Sequence, residues 1–173
     1  MASKEKNFKL IGPVSIFKSN YPDKTFIGKK AANIFLNELK VRNIFDMKGC
    51  YIFACKAGRG YKPWYVGKTS NSFGKECMVS HKLQNYNEAI KNYKNAPTSV
   101  MFFLTKESNP KLVDKRILKE LEGFLIKESF KKNSELTNIQ NANKPEWIID
   151  GVIRSHRRPN KTEIAFKKML GIK

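Results

Sequence analysis

The chain interleaves three β-forming runs with helical stripes, and that order restricts its fold more than any other feature. Residues 98–105 are apolar almost throughout, which predicts a strand covered on both faces of a sheet. Ahead of them, Val79, Leu83, Tyr86, Ile90 and Tyr93 step by four and three, predicting one helix from about Phe73 that ends before Pro97. Behind them, Ile117, Leu121, Phe124 and Leu125 predict an inward stripe on a helix over about 113–130. Upstream, 50–55 and 64–66 are rich in β-formers and are separated by Gly58-Arg59-Gly60 and Pro63. They predict a hairpin over 49–67 with a long loop at 57–63. Ala31, Ile34, Phe35 and Leu39 predict a helix over 29–41, and 8–17 alternate loosely as an early strand or arm. The expected class is α/β: a small three-stranded, mostly antiparallel sheet flanked by helices, with N- and C-terminal extensions. Residues 145–153 are apolar but ambiguous, and Thr162 is the expected cap of a last short helix stopped by Gly171.

A length of 173 residues suits one domain with a short appendage, large enough to need no disulfide or metal staple. Charge is the outlier, with 34 Lys and Arg against 15 Asp and Glu, a net +19. Residues 1–48, 49–138 and 139–173 carry +6, +8 and +5, so the excess is spread over the chain and is no basic tail. Such a field does nothing for a small neutral substrate and suits a polyanion. The longest apolar run is only 100–104, far short of the ~18 residues a membrane span needs, so no membrane partner is expected. Gly12-Pro13 interrupts the one apolar stretch near the N-terminus, which argues against a secretory leader. Three cysteines fit reduced thiols and a cytoplasmic location.

Two attractive motifs fail on chemistry. Gly67-Lys68-Thr69 resembles the end of a phosphate-binding P-loop, but Lys62 stands where the cradle needs glycine. Cys50, Cys55, Cys77 and His81 make a formal zinc set. However, Cys50 and Cys55 are five apart on one strand and leave opposite faces, so four ligands do not converge. A Cys–His nucleophilic pair lacks an orienting third group.

Gly49-Cys50-Tyr51, followed by Tyr65-Val66-Gly67, resembles the GIY-YIG nuclease signature, in which two tyrosine tripeptides lie on adjacent strands. The first tripeptide departs from the pattern at its middle residue. The family places a basic residue in the next helix, usually arginine, and Lys75 stands ten positions beyond Tyr65. It then places a glutamate in a later helix and an asparagine after it; Glu122, in 121–126, and Asn138, in 136–138, match that ending. The resemblance spans about 49–138 and implies a nuclease core there; the flanks, a 1–48 arm and helix and a basic 139–173 extension expected to pack on the core, lie outside it.

The resemblance implies a metal-dependent endonuclease that hydrolyses phosphodiester bonds, most plainly in DNA. Tyr51, Tyr65, Lys75 and Glu122 are its expected catalytic residues, with Glu122 holding Mg2+ or another divalent cation such as Mn2+. Oxygen ligands and few protein contacts suit Mg2+. Lysine in place of arginine offers a point charge and no planar fork, so Lys68, His81 and Lys82 are alternative contributors. Asn138 is expected as a supporting or structural contact. A phenol with a pKa of ~10 is a poor base unless cations or a metal lower it. Glu122 shares a helix face with Leu118 and Leu125, where an acid is costly unless it is paired or bound to metal. Its plainer partners are Lys119 or Arg116. Arg154, Arg157, Arg158, Lys161, Lys167 and Lys168 are expected to extend a backbone-binding track. The alternative function is a catalytically weak or inactive module that holds nucleic acid by charge. The catalytic arrangement requires an even pairing sum in the hairpin, which alone puts both tyrosines on one face.

Overall fold

The computed structural model describes residues 7–21, 24–93, 97–106, 109–138 and 157–169. Strand β1 (Phe8–Ile16) is followed by a short ribbon, β2 (Ser19–Tyr21) and β3 (Lys24–Phe26), and then by helix α1 (Lys29–Val41). Strands β4 (Gly49–Ala57) and β5 (Gly60–Thr69) form the hairpin. Helices α2 (Phe73–Glu76) and α3 (Ser80–Lys91) lead to strand β6 (Ser99–Lys106) and helix α4 (Lys115–Lys132). The main sheet is an open, antiparallel, four-stranded one in the order β1-β6-β4-β5. Three strands were expected. The fourth is β1, whose Val14 and Ile16 are buried against the same core as Met101 and Phe103. Its alternation is interrupted at Gly12-Pro13, where the pairing with β6 shifts, and that break hid it as a full strand.

The hairpin turn also differs from the expected long loop. Lys56 pairs with Tyr61 and Ala57 with Gly60, so only Gly58-Arg59 turns. Pro63 is accommodated by a register shift between Phe53 and Ala54, on a strand whose other edge pairs with no strand among the described residues.

The sheet's two faces have different partners. Tyr51, Phe53, Cys55, Tyr65, Met101 and Phe103 pack with Phe35 and Leu39 of α1, Phe73 of α2 and Tyr86 and Ile90 of α3 in the large core. Ile52 and Val66 point the other way, to Leu125 and Ile126 of α4 and to Leu136. The α4 stripe is Leu118, Glu122, Ile126 and Ser129. Phe124, expected inward, is 59% exposed. The single helix expected from Phe73 is broken at 77–79. Ser72 caps the first piece, accepting from the Lys75 N–H at 3.3 Å, and extended Val79 starts the second. The Tyr86 hydroxyl donates to the Cys77 carbonyl at 2.8 Å, satisfying an acceptor left open by the break. Breaking the helix turns α3 so that Lys82, Tyr86, Ala89 and Ile90 form its buried side.

The chain divides into two compact units, 1–142 and 143–173. In the second, helix α5 (Lys161–Met169) is capped by Asn160, not by Thr162. Asn160 Oδ1 accepts from the Glu163 N–H at 3.0 Å, and Glu163 returns the contact to the Asn160 N–H at 2.7 Å. Residues 145–153 and Gly171 lie outside the described residues.

Candidate active site at the end of the hairpin

Register decides what the hairpin can present. Tyr51 pairs with Gly67, Ile52 with Val66 and Phe53 with Tyr65, which is the even sum. Tyr51 and Tyr65 therefore share a face, and their rings stack with centroids 6.2 Å apart. Phe73 meets Tyr51 edge-on at 6.2 Å, and Tyr86 meets Tyr65 at 5.5 Å. Gly49 holds φ at +155°, and a side chain there would collide with the Leu104 carbonyl on β6. The first glycine of the signature is thus required by strand packing.

Among the described residues, the Tyr51 hydroxyl is buried without a partner in hydrogen-bonding geometry. Its polar neighbours are the Tyr65 and Tyr86 hydroxyls, which interact with it electrostatically. The cation against Tyr51 is Lys82, whose Nζ lies 5.4 Å from the ring centroid. Lys82 is only 6% exposed and pairs with Glu76 at 3.2 Å. Lys82, one of the alternative contributors expected from the sequence, is therefore buried in the core. Lys75 is exposed, and its backbone N–H serves the Ser72 cap. His81 is exposed in the first turn of α3.

Glu122 approaches from the other face. It is buried, and its partner is Lys68 of β5 in place of the expected Lys119 or Arg116, both of which are exposed. Cys50 lies directly opposite Lys68 on β4 and donates to the Leu118 carbonyl at 3.6 Å. Asn138 grips the neighbouring residue of β5: its Oδ1 accepts from the Val66 N–H at 3.0 Å, and its amide donates to the Val66 carbonyl. Val66 turns these groups away from β4, to an edge of β5 on which no strand pairs among the described residues, and Asn138 takes the place of a ladder partner there.

The two faces meet where β5 ends. A cleft of about 260 Å³ is lined there by Lys68, Thr69, Ser70 and Asn71, by Glu76 from α2, and by Lys115 and Leu118 from α4. Tyr51, Tyr65, Lys75 and Glu122 do not themselves line it. Lys68 links the cleft to Glu122, and Glu76 links it to Lys82 and Tyr51. Glu76 was not visible in the sequence, because only the break after α2 brings it to this position.

Electrostatics argue against an ionised phenol. Burial raises the Tyr51 pKa well above its ordinary value, with Tyr65 adding to the effect. Burial also raises Tyr65, and the Glu122 charge raises it further. The expected depression by nearby cations is not found, because Lys68 is engaged by Glu122 and Lys82 by Glu76. Burial pushes the Cys50 thiol up to about 12, so it is no nucleophile. Among the described residues, no three His, Cys, Asp or Glu side chains gather as a metal-binding group, and the formal zinc set is dispersed.

Arg157, Arg158 and Lys161 of the second unit are exposed, and Arg157 pairs with Glu163 at 2.6 Å. Arg154 and the side chains of Lys167 and Lys168 lie outside what the structure describes. Among the described residues, no helix is long and apolar enough to cross a membrane. No family model, curated protein or solved structure matches the chain.

Proposed function

We propose that this chain is a metal-dependent endonuclease of the GIY-YIG type, acting on the phosphodiester backbone of DNA. One observation carries the reading. The even register stacks Tyr51 on Tyr65 beside buried Lys82, while Glu122 reaches the same end of β5 through Lys68. A sheet needs neither a buried carboxylate on one face nor a buried lysine against a phenol on the other to be stable. Such groups cost free energy unless function uses them.

The residues fit a single-carboxylate Mg2+ site. Mg2+ keeps most of its waters and takes one or two protein carboxylates plus substrate phosphate, so a three-ligand cluster is not required. Glu122 would hold the cation from behind Lys68, and Glu76 is the carboxylate that lines the cleft itself. When bound, the cation supplies charge stabilisation at the phosphate and acidifies water. The remaining work falls to the chain. Lys68 and Lys115 line the cleft and attract the phosphodiester. Tyr65, kept protonated by burial, orients a water by hydrogen bonding and is not its base. Lys82 keeps Glu76 and the Tyr51 ring in place. The test is cleavage of plasmid and single-stranded DNA with and without Mg2+ or Mn2+. Cleavage that needs the cation and fails in Glu122→Gln supports the reading, and cation-independent or absent cleavage removes it.

A second reading has its own support. Glu122 and Glu76 are already neutralised by lysines, and both phenols are held protonated. A nuclease-like module that binds nucleic acid by charge and barely cuts it would look the same. The same assay separates the two, since that module binds DNA at low salt and leaves it intact.

A further inference from the structure

We propose that Lys68 is a displaceable counter-ion. It neutralises Glu122 in the free protein and passes to a phosphate oxygen when a divalent cation takes its place, so that cation and nucleic acid bind cooperatively. The inference rests on the nuclease reading above and adds a coupling to it.

The pair is asymmetric. The Glu122 side chain is 10% exposed and that of Lys68 is 35% exposed. Glu122 sits on a rigid helix among Leu118 and Ile126. Lys68 carries its charge on a flexible four-carbon stem and lines the open cleft with Thr69, Ser70, Asn71 and Lys115. Among the described residues, no other cation pairs with Glu122.

Exchange of partners follows from that asymmetry. An anion entering the cleft cannot draw Lys68 away alone, because a buried carboxylate left without a counter-charge is strongly unfavourable. A cation cannot take Glu122 alone without releasing a lysine into a cleft that already holds Lys115 and whose carboxylate, Glu76, is already paired with Lys82. When both enter, the cation neutralises Glu122 and the phosphate neutralises Lys68, so every charge keeps a partner. Linkage then requires that the factor by which DNA tightens the cation equal the factor by which the cation tightens DNA.

The experiment is a Mn2+ titration of the full chain, followed by electron paramagnetic resonance. It is run alone and with a saturating short DNA duplex whose integrity is checked afterwards. The wild type should bind Mn2+ at least about tenfold more tightly with duplex, within the usual range of coupling between sites. Lys68→Gln should bind Mn2+ more tightly than wild type without duplex, and the duplex should tighten it little further. Lys68→Arg, whose planar fork grips the carboxylate, should bind Mn2+ more weakly without duplex. The two variants move in opposite directions, so a folding defect in one does not imitate the result. Wild-type Mn2+ affinity and coupling in both variants would overturn the exchange and leave the nuclease reading intact. Wild-type Mn2+ binding by Glu122→Gln would remove the metal ligand itself, and both proposals with it.

Discussion

The Tyr51 phenol fills the space that a side chain at residue 67 would occupy. Tyr51 and Gly67 are direct cross-strand partners, and a Cβ at 67 would penetrate the phenol ring. The second glycine of the signature is thus a steric requirement of the first tyrosine. Phe73, edge-on to the same ring, leaves that ring no easy retreat. Gly67→Ala should cost about 1–3 kcal/mol, as overpacking of a dense core does. That corresponds to a fall of about 2–4 °C in melting midpoint per kcal/mol for a chain of this size. Thermal melts check it, and an unchanged midpoint would mean Tyr51 is not where the ladder puts it.

Glu122→Gln keeps the shape of the side chain and removes its charge. Lys68 is about one-third exposed and can turn to solvent, so the fold should survive. Losing a cation's charge stabilisation costs several kcal/mol of barrier, so cleavage should drop by about 10²–10⁴. DNA binding should persist or strengthen, because the cleft gains a free lysine. Parallel cleavage and binding titrations decide it, and full activity in the variant would end the metal assignment.

Periodicity and spacing exposed much of this architecture. The helix over 29–41 and the strand around 98–105 follow from local pattern and appear as such, whereas the even register that puts both tyrosines on one face is set by the ladder and not by the sequence. What escaped depends on contacts distant in sequence. β1 becomes a strand only by pairing with β6, some ninety residues away. The break at 77–79 is invisible to a 4,3,4,3 count, because Val79 and Leu83 are apolar whether or not the helix runs through them. The buried side of α3 includes Lys82, which the stripe of Val79, Leu83, Tyr86, Ile90 and Tyr93 leaves out. The partner of Glu122 was sought on its own helix, since i and i+4 neighbours are all a sequence offers. Lys68 became visible only when β5 was laid against α4.

Lys82 and Lys75 offer a direct contrast. Lys82 is buried beneath Tyr51 and bonded to Glu76, whereas Lys75 is exposed seven residues earlier, on α2. Lys82→Met keeps the stem but leaves Glu76 without its partner and Tyr51 without its cation. Cleavage should fall by at least about tenfold, the equivalent of one buried charge-assisted contact at 1.5–3 kcal/mol. Lys75→Ala should change cleavage by less than about threefold at low salt, as loss of one exposed charge does. The reverse order of effects would return the arginine-like role to Lys75.

The thiols predict an alkaline limit to stability. Burial pushes Cys50 and Cys77 up to about 12 and Cys55 to about 11, from an ordinary 9.0. The unfolded chain therefore releases these protons from about pH 9 upward, while the folded chain keeps them. Unfolding is favoured by rising pH across that window, and the contribution is fully present below it. Lysines start to lose charge near 10.4 and relieve repulsion in so basic a protein, so the informative range is pH 8–10. Urea midpoints should be flat near pH 8 and fall towards pH 10, less steeply in Cys77→Ala. A thiol reagent should react slowly with all three cysteines until the chain unfolds.

Charge governs the last expectation, the salt dependence of binding. With +19 spread along the chain, and Lys68 and Lys115 at the cleft, contacts to DNA should be to phosphates and not to base edges. Each neutralised phosphate releases condensed counterions, so log K should fall linearly with log salt at a slope of about −0.9 per contact. Six or more contacts would lose about a thousandfold in affinity between 50 and 200 mM salt. Duplexes of unrelated sequence should give parallel lines, because counterion release is blind to sequence. Removing Lys115 should lower that slope by about one unit for every duplex alike. A shallow slope combined with one duplex bound far more tightly than the rest would instead mean that base edges are read, and the charge would then have to serve another partner.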